Sequence, residues 1–539
     1  MQTARSKASA TNAGEMGSAI IAALVVIGIL ALMAATFFLR AMPAYRTTYQ
    51  ASAWQEARLA ADAGIDYGMA AIQNSLPQPD SYTWPNWTLS DGSPIFSRTD
   101  EPRLSTPPST TLIHLGDGNA RPAIVKVAID VLTRDDNVSR NPWFRIRATG
   151  SAALPSSQLS LNKRDLFLRR MNLKQKRITR TVEVVARPLY LWEYALKTKG
   201  QMVLGGGSTW VTDSYDSRYS TLTASHRGST NGMYDATKAG AFGNIASNLQ
   251  RPANSPFGPL IDAEGALVRG EVQTHGGDNP DTAVHENVEE SSQIDQSRIT
   301  NEFEETLIPP ENPTQPGDPT QVRRITAPWG TPDLTNPNIA IPLPSSFTRA
   351  DGSSAGTSVT NPVRIKLAPT GNSQGGFSVA PPSPLTASRF VEIYINANLI
   401  LGGSIASIQV PPNVHAKIFV NGNLDFKNQD INYSSSSSRI PGNVQIYGVS
   451  TSPAARVDSS GNGHLVTVFY GPQYAGHLDG NTEIIGGFVL NTYDIAGGGG
   501  SGGDSVGAGF HYDEALGVVG PIQAYKVVGY FEDTRKDLD

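Results

Sequence analysis

An uncharged apolar stretch near the start of the chain, Ala19–Leu39, limits most strongly what this sequence can fold into. At about 1.5 Å of rise per residue, it would form a helix about 31 Å long, which matches the hydrocarbon core of a bilayer. Charged residues flank it at Glu15 and Arg40. A secretory signal is the alternative, because Arg5 and Lys7 supply a basic leader, but the run exceeds the roughly 7–15 apolar residues of a signal core. The stretch is therefore long enough to span a membrane.

A helical pattern continues beyond this stretch to about Leu76. Apolar residues recur there at steps of three or four, which predicts one buried stripe along a helix that leaves the membrane. The residues of this stripe are Trp54, Ala57, Ala61, Ile65, Met69, Ile72 and Leu76. Pro43 lies between the two halves, where we expect a kink.

Two short segments of this region resemble the N-terminus of the PilX-type minor pilins of type IV pili. Met16-Gly17-Ser18-Ala19-Ile20-Ile21 is similar to their G-x-A-L-I opening, and Ala60-Ala61-Asp62-Ala63-Gly64-Ile65 is similar to their A-A-E-A-G-[LI] segment. The resemblance implies a leader over residues 1–18, with prepilin cleavage after Gly14 or Gly17. It also implies that Ala19, Ile20, Ile21 and Pro43 belong to the helix that anchors the protein and assembles with other pilins.

The chain departs from the pilin pattern at one position. Subunits of the pilus shaft carry a Glu at the fifth mature residue, which neutralises the N-terminal amine of a neighbouring subunit. Here that position is Ala19 or Ala22, depending on the cleavage site. Because a buried amine without a partner is costly, we expect a place at the tip or at initiation rather than in the shaft.

Composition and charge favour a β-rich extracellular protein. Cysteine is absent, and Gly (52) and Pro (37) are abundant while only 17% of residues are charged. Residues 1–190 hold 22 Lys/Arg against 14 Asp/Glu, whereas the remainder carries a net charge of −13.

The most basic segment, Lys163–Arg180, is interpreted as a solvated loop; binding to anionic lipid and binding to DNA are the alternatives. Phe167 is its only ring, which argues against a nucleic-acid partner because no set of rings is present for bases to stack on.

Three runs of alternating apolar residues predict antiparallel strands packed on the exposed half of the long helix. Their apolar positions are Val125, Val127, Ile129 and Val131, then Phe144, Ile146 and Ala148, then Val182, Val184 and Ala186. We therefore assign residues 19–76 to the transmembrane and extended helix and 77–189 to a small β-sheet head with loops.

The second half of the chain contains a repeat. Ile395–Ile400 and Val420–Asp425 align at a separation of 25 residues, and similar strand cores follow at about 444, 467 and 487. Such a period predicts a parallel β-solenoid, with Asn398 and Asn423 stacked at equivalent corners, rather than a β-sandwich with strands every 8–12 residues.

The predicted fold class is thus mainly β: a long pilin-like transmembrane helix with a small antiparallel sheet, followed by a parallel β-solenoid. The solenoid (β-helix) domain is assigned to residues 190–520, with an insertion at about 274–390 that contains a short helix near 284–303. Residues 521–539 are assigned to a C-terminal tail.

Few residues in the sequence suggest catalysis or metal binding. Asp213 with Asp216, and Asp513 with Glu514, could act as acid/base pairs, but solvated turns explain them equally well. The histidines lack zinc-site spacing, and the calcium-like loop that starts at Asp458 has Phe469 where a Glu ligand is required. We assign no catalytic, cofactor-binding or metal-binding residue and expect no enzyme activity.

The resemblance and the repeat together predict a minor pilin-like protein of a type IV pilus or a type II secretion-like machine. It would be a single-pass protein of the bacterial inner membrane before assembly, with an extracytoplasmic β-helical domain for tip assembly or cell adhesion, located finally at the pilus tip or cell surface. The expected partners are other pilins or pseudopilins, inner-membrane lipid and surface polysaccharide. The alternative is a membrane-anchored β-helical enzyme acting on polysaccharide.

Overall fold

The protein is described here by a computed structural model. The described residues are 12–76, 110–115, 123–132, 143–153, 177–204, 210–218, 229–230, 232–250, 259–263, 266–275, 283–285, 293–294, 296–313, 338–342, 347–348, 354–357, 362–367, 373–374, 376–380, 388–402, 407–435, 439–478, 480–495, 509–519 and 522–533. Side chains are described from Ile21 onward. Residues 1–11 of the predicted leader and most of the basic segment Lys163–Arg180 lie outside these residues.

Helices and strands follow one another in the order long helix, antiparallel strands, many short strands, short helix and final strand. The helices are α1 (Asn12–Ser75) and α2 (Leu516–Val519). The first strands are β1 (Thr110–Leu115), β2 (Ala123–Leu132), β3 (Trp143–Ala153), β4 (Arg177–Tyr190), β5 (Leu196–Thr198), β6 (Met202–Val203), β7 (Val211–Tyr215), β8 (Ser229–Thr230), β9 (Met233–Tyr234), β10 (Ile245–Ser247) and β11 (Ile261–Asp262). Next come β12 (Leu267–Val268), β13 (Val272–His275), β14 (Val284–His285), β15 (Gln293–Ile294), β16 (Ile299–Phe303), β17 (Asn338–Pro342), β18 (Phe347–Thr348), β19 (Ser354–Ala355), β20 (Val363–Leu367), β21 (Ser373–Gln374) and β22 (Gly376–Ala380). The last are β23 (Arg389–Ile395), β24 (Leu399–Ile400), β25 (Ile408–Gln409), β26 (Val414–Val420), β27 (Leu424–Asp425), β28 (Val444–Gly448), β29 (Arg456–Ser459), β30 (His464–Leu478), β31 (Glu483–Asp494), β32 (Gly509–Asp513) and β33 (Ile522–Asp533).

The chain forms two compact units. The first unit comprises Met1–Asn137, Pro142–Pro188 and Ala524–Asp539, and the second comprises Val138–Asn141 and Leu189–Gln523. The first unit holds α1 and an antiparallel sheet, and the second holds a large parallel sheet.

Helix α1 has two different halves. From Ile21 to Leu39 its apolar side chains are exposed, and by length and composition this part could cross a membrane. The second half is amphipathic and packs its small residues on the sheet, because a helix face of Ala and Gly lets the backbones approach closely. Its buried residues are Ala53, Ala57, Ala60, Ala61, Gly64, Ile65, Gly68, Ala71, Ile72 and Ser75. Pro43 lies within a single continuous helix.

The predicted stripe is correct in four of its positions, namely Ala57, Ala61, Ile65 and Ile72, which are buried. Trp54 differs, since it is 40% exposed. Its ring lies under the guanidinium of Arg180, 3.7 Å from the ring centroid. A cation over an indole face stabilises the ring at the surface without burying it.

The antiparallel sheet of the first unit has the strand order β1-β2-β3-β4-β33. All three predicted strands are present, and their alternating apolar residues from Val125 to Ala186 are buried wherever the structure describes the side chain. The final strand was not predicted, because residues 521–539 were assigned to a tail. Ile522–Asp533 instead joins the sheet beside β4, and Tyr525 packs against Phe144 with ring centroids 5.0 Å apart.

Most strands of the second unit are paired in parallel in three columns, and β8–β9 and β18–β19 form two separate antiparallel pairs. One column runs in the spatial order β20-β23-β26-β28-β30-β31-β5-β10-β13-β16. The second contains β21-β24-β27-β29, the ends of β30 and β31, and then β6-β11-β14. The third contains β17-β22-β25, the starts of β30 and β31, and then β32-β7-β12-β15. One large apolar core is formed between them.

The spatial order of these strands differs from their order in the chain. The first strands of the unit, β5 and β7, lie in the middle of their columns beside the last ones, β31 and β32. The chain then extends to β16 at one end of its column, and β20 lies at the other end. A strap of residues 304–312 runs from β16 along the first column. Glu305 binds Lys197 of β5, the carbonyl of Ile308 accepts from Tyr470 of β30, and Asn312 bonds Tyr394 of β23.

The predicted insertion at 274–390 is therefore shorter than expected. Within it, β14, β15 and β16 pair with β11, β12 and β13, and β20 pairs with β23. A short helix is predicted near 284–303, and the described residues of that range form β14–β16 and a 3-10 turn, Gln296–Arg298, while residues 286–292 lie outside the described part. Parallel pairing with neighbouring strands overrides the weak local helical preference.

The predicted 25-residue register is present. Ile395 pairs with Val420 and Leu399 with Leu424. Asn398 and Asn423 form a ladder in which each side-chain oxygen accepts from a backbone N–H of the next coil rather than from the next side chain. Asn398 Oδ1 accepts from the N–H of Asn423 at 2.8 Å, and Asn423 Oδ1 accepts from the N–H of Arg456 at 3.2 Å.

The close approach of helix and sheet makes a first prediction about Gly150 in β3. A Cβ there would lie 2.1 Å from the carbonyl oxygen of Ala57 and 2.6 Å from the nitrogen of Ala61. Backbone atoms cannot move aside easily, so we expect Gly150→Ala to destabilise the first unit by about 1–3 kcal/mol. Thermal unfolding of the full-length protein in detergent, followed by circular dichroism, measures this. Gly28→Ala is the control, since nothing lies within 4 Å of its Cβ position, and equal melting of both variants would contradict the packing.

The ladder makes a second prediction. Asn398→Ala and Asn423→Ala should each lose one hydrogen bond and about 0.5–1.5 kcal/mol. Because Asn423→Ala keeps the backbone N–H that donates to Asn398, the two losses should add to within about 0.5 kcal/mol. A double-mutant cycle by denaturant unfolding tests this. A coupling well above that value would mean that the two side chains bond directly.

Candidate functional site

Strands β7 and β32 bring together the two acidic segments noted in the sequence. Asp213 pairs with His511 and Tyr215 with Asp513 in parallel register, although nearly 300 residues separate them in the chain. This is where the last strands of the second unit meet its first strands. We call this pair of strands the seam.

Three side chains of the seam and a neighbouring hairpin form the His511 cluster, which consists of Asp213, Tyr234 and His511. Asp213 Oδ1 lies 2.7 Å from Nδ1 of His511, and Oδ2 accepts from the hydroxyl of Tyr234 at 2.7 Å. The Tyr234 ring stacks on the imidazole with centroids 3.8 Å apart. Both Asp213 and His511 have only 1% of their side-chain surface exposed. Burial and the Asp213 carboxylate raise the pKa of Tyr234. The phenol therefore stays protonated and donates a hydrogen bond to Asp213.

The other acidic residues of the seam are also bonded within the fold. Asp513 accepts from the backbone N–H and hydroxyl of Ser217 and from the N–H of Ala515. Burial nevertheless raises the pKa of Asp513 to about 6. Asp216 pairs with Arg218, and Glu514 accepts from Ser214 at 2.8 Å.

Solvated turns do not describe three of the four residues in the predicted acid pairs. Asp213, Asp216 and Asp513 are buried, so they do not lie in solvated turns. Parallel pairing of the two strands places Asp213 beside His511, not beside a second carboxylate, and the hydrogen bonds described above fasten β32 to β7. The arrangement stabilises the seam.

A second cluster with the same three residue types lies elsewhere on the unit and was not predicted from the sequence. We call Asp430, Tyr433, His464 and Glu483 the His464 cluster. Nδ1 of His464 lies 3.0 Å from Asp430 Oδ1, and the Tyr433 ring stacks on the imidazole with centroids 3.9 Å apart and planes 7° apart. Glu483 pairs with His464 on the adjacent strand, with its Oε2 3.7 Å from Nε2. The D-x-x-Y spacing from Asp430 to Tyr433 is the signal that could have indicated it.

Local backbone geometry positions the Tyr433 ring. Ile431 is inserted in the core and bridges Ile408 and Leu465. Asn432 then adopts φ 51°, a left-handed conformation that asparagine tolerates. The chain turns there, immediately before Tyr433.

The two clusters share an apolar base. Val466 and Ile485 pack with Tyr215 beneath the rings of Tyr234 and Tyr433. The charge of Glu483 raises the pKa of both tyrosines, in addition to the larger effect of burial. One carboxylate therefore lies within electrostatic reach of both phenols.

Charge interactions set the protonation of the His464 cluster. Burial alone would raise the pKa of Asp430, but the hydrogen bonds from His464 outweigh it and hold the pKa below the usual 3.8. The bond to Asp430 raises the pKa of His464 above 6.5, and Glu483 adds to the increase. The imidazolium and the Asp430 carboxylate therefore stabilise one another.

Metal coordination has no support in the described residues. Among them, no group of three or more His, Asp or Glu side chains is placed to hold an ion. In the calcium-like loop, Asp458 is paired with Arg456 at 2.7 Å and Gly461 adopts φ 102°. The loop forms a turn that glycine permits.

The predicted assembly residues lie in α1. Gly14, Gly17, Ala19 and Ile20 are part of its helical backbone, and Ile21 begins the exposed apolar part. Cleavage and assembly stay predictions.

Comparison with known proteins gives limited matches. A protein-family model described as a domain of unknown function (DUF7305) matches residues 386–519, about a quarter of the chain, which include the His464 cluster and β32 of the seam. No curated protein matches the chain. The chain is similar to the crystal structure of the competence-associated pilin ComZ from Thermus thermophilus at 11% identity, covering 89% of this chain and 97% of that one, with a TM-score of 0.22. A TM-score this low carries no argument about fold or function.

The Asp430–His464 pair predicts a pH dependence. Because folding raises the pKa of His464, protonated His464 stabilises the fold, and this contribution is complete below pH 6.5. It is lost as the pH rises through the pKa of His464 in the folded protein. The lowered pKa of Asp430 contributes above 3.8 and is lost as pH falls through its folded value. Asp430→Asn should therefore destabilise most at about pH 5 and should lower the pKa of His464 in a histidine NMR titration. His415, which does not contact Asp430, is the internal control, and an unchanged His464 titration would refute the pairing.

Proposed function

We propose that this chain is a pilus-related minor pilin-like protein of the PilX type, in which α1 serves for anchoring and assembly. The division of α1 into two halves supports this most directly. Ile21–Leu39 presents its apolar side chains outward, while the part from Ala53 to Ser75 is fastened to an antiparallel sheet. An apolar face of this size is stable only in lipid or against other apolar helices. Both environments are available to a pilin, first in the inner membrane and then among other pilins or pseudopilins.

The position in the pilus follows from the sequence at the start of the helix. Ala19 or Ala22 stands where a shaft pilin has Glu, so the chain cannot neutralise a neighbouring N-terminal amine. A tip or priming subunit does not need that pair. The protein would thus be a single-pass inner-membrane protein before assembly and a pilus-tip or cell-surface protein afterwards.

The second unit would be the extracytoplasmic domain, and we propose that it is a parallel β-solenoid. Three columns of parallel strands, the 25-residue register and a continuous apolar core between the columns support this architecture. A solenoid presents long side surfaces for contact with other molecules, which suits an adhesive role toward surface polysaccharide.

The enzymatic alternative has less support. It depended on the carboxylate pairs Asp213/Asp216 and Asp513/Glu514. Asp213, Asp513 and Glu514 are engaged in hydrogen bonds that hold β7 to β32, and Asp216 is paired with Arg218. We therefore propose a non-enzymatic, structural and adhesive function without a cofactor.

The N-terminus of the mature protein tests the assembly role. In the native host, mass spectrometry should find a chain that begins at Glu15 or Ser18 and retains Ile21–Leu39, because that helix is the part that assembles. Gly14→Val and Gly17→Val serve as matched variants, since only the one at the true cleavage site should block processing. A mature chain that starts beyond Leu39 would identify an ordinary signal peptide and would refute the pilin proposal.

A further inference from the structure

The His464 cluster differs from the His511 cluster in its access to solvent. His464 and Asp430 expose 31% and 41% of their side chains, and Glu483 exposes 24%, whereas Asp213 and His511 each expose 1%. The Asp and His residues that are buried at the seam thus have solvent-exposed counterparts in the His464 cluster. An ion pair with this exposure adds little stability, so its stability contribution alone does not account for it.

The cluster presents hydrogen-bond acceptors. His464 contacts Asp430 twice, through its backbone N–H and through Nδ1, and both contacts are to Oδ1. His464 therefore makes no hydrogen bond to Asp430 Oδ2. Within the described part of the chain, the Glu483 carboxylate has His464 Nε2 at 3.7 Å as its ion-pair partner, which is longer than a hydrogen bond. A ligand of this surface must therefore bring donors, and an anionic ligand would be repelled.

An aromatic ring lies beside these acceptors in a fixed position. Tyr433 rests face to face on the His464 imidazole, which Asp430 holds in turn, and the tyrosine stays only partly buried. Tyr234 is partly buried on the same apolar base, Val466 and Ile485. A rigid ring loses little entropy when a flat apolar face packs on it.

From this arrangement we propose that the surface formed by the His464 cluster and Tyr234 binds a non-acidic saccharide. The C–H face of one sugar ring would pack on Tyr433, and its hydroxyl or amino groups would donate to Glu483 and Asp430. This deepens the proposed adhesive function and rests on it. Sugars combine an apolar face with a ring of donors, which is the complement of a tyrosine flanked by carboxylates.

Isothermal titration of the full-length protein in detergent tests the site with defined probes. These are cellohexaose, chitohexaose, a chitosan hexamer and a galacturonic acid hexamer. We expect at least one of the first three to bind with a Kd of about 1 mM or tighter, and the galacturonate hexamer to bind at least about tenfold more weakly. Failure of all three non-acidic probes, or equal binding of the acidic one, would overturn the proposal.

Variants locate the binding surface. Tyr433→Ala and Glu483→Gln should each weaken binding about tenfold, since one removes the ring and the other a charged acceptor without changing its shape. Tyr433→Phe should recover most of the affinity lost in Tyr433→Ala, because it keeps the stacked ring. Exposed residues outside the cluster, Tyr530→Ala and Glu304→Gln, are the matched controls. If the cluster variants bind like the wild type, the site is wrong.

The filament separates this proposal from the one it rests on. Tyr433→Ala should enter sheared pili as the wild type does, because the ring is far in sequence from α1 and belongs to the other unit. Normal incorporation without any saccharide binding would refute the saccharide site and leave the pilin function intact. If the wild-type protein is neither processed nor incorporated into pili, the pilin function itself is refuted.

Discussion

The pairing of backbone groups between parallel strands is the interaction on which the second unit depends. Its strands are short, many of two or three residues, and none could persist alone. Most are held by a neighbour on both sides, as β5 is by β31 and β10, while strands such as β16 and β20 end their columns. The seam is the least local contact of the unit: β10 and β12, which pair with β5 and β7, follow them closely in the chain, whereas their second neighbours, β31 and β32, come last. We expect a slow folding step of high contact order there.

Local patterns in the sequence were sufficient for the elements whose partners are near in the chain. The alternation around Val125, the stripe at Ala57 and Ala61, and the 25-residue repeat were each readable because neighbours in space are separated by one turn, one hairpin or one repeat. The seam, β33 and the strap were not readable, because their partners lie 82 or more residues away in the chain. Nothing within Ile522–Asp533 itself indicates that β4 will be its neighbour.

The candidate site shows the same limit at the level of side chains. Asp213 and Asp513 were recognised as notable, but the pairing was sought within each segment rather than between β7 and β32. The His464 cluster combines residues from three segments, and the sequence shows only the D-x-x-Y spacing of Asp430 and Tyr433. A histidine without neighbours of the right type within a few residues carries no signal, although the fold gives it two carboxylates.

The two clusters share an Asp–His contact and a tyrosine stacked on the imidazole, but they differ in exposure, and a second carboxylate, Glu483, belongs only to the His464 cluster. At the seam, water is excluded, the hydrogen bonds of Asp213 cannot be exchanged for bonds to solvent, and breaking them would leave buried polar groups unpaired. At His464, an Asp–His pair with a stacked tyrosine remains open to solvent, so a ligand can replace water at modest cost. A buried Asp–His pair holds two strands together, whereas an exposed one can exchange its hydrogen bonds to water for hydrogen bonds to a ligand. That difference is the physical reason to look for binding at His464 rather than at the more conspicuous acidic residues of the seam.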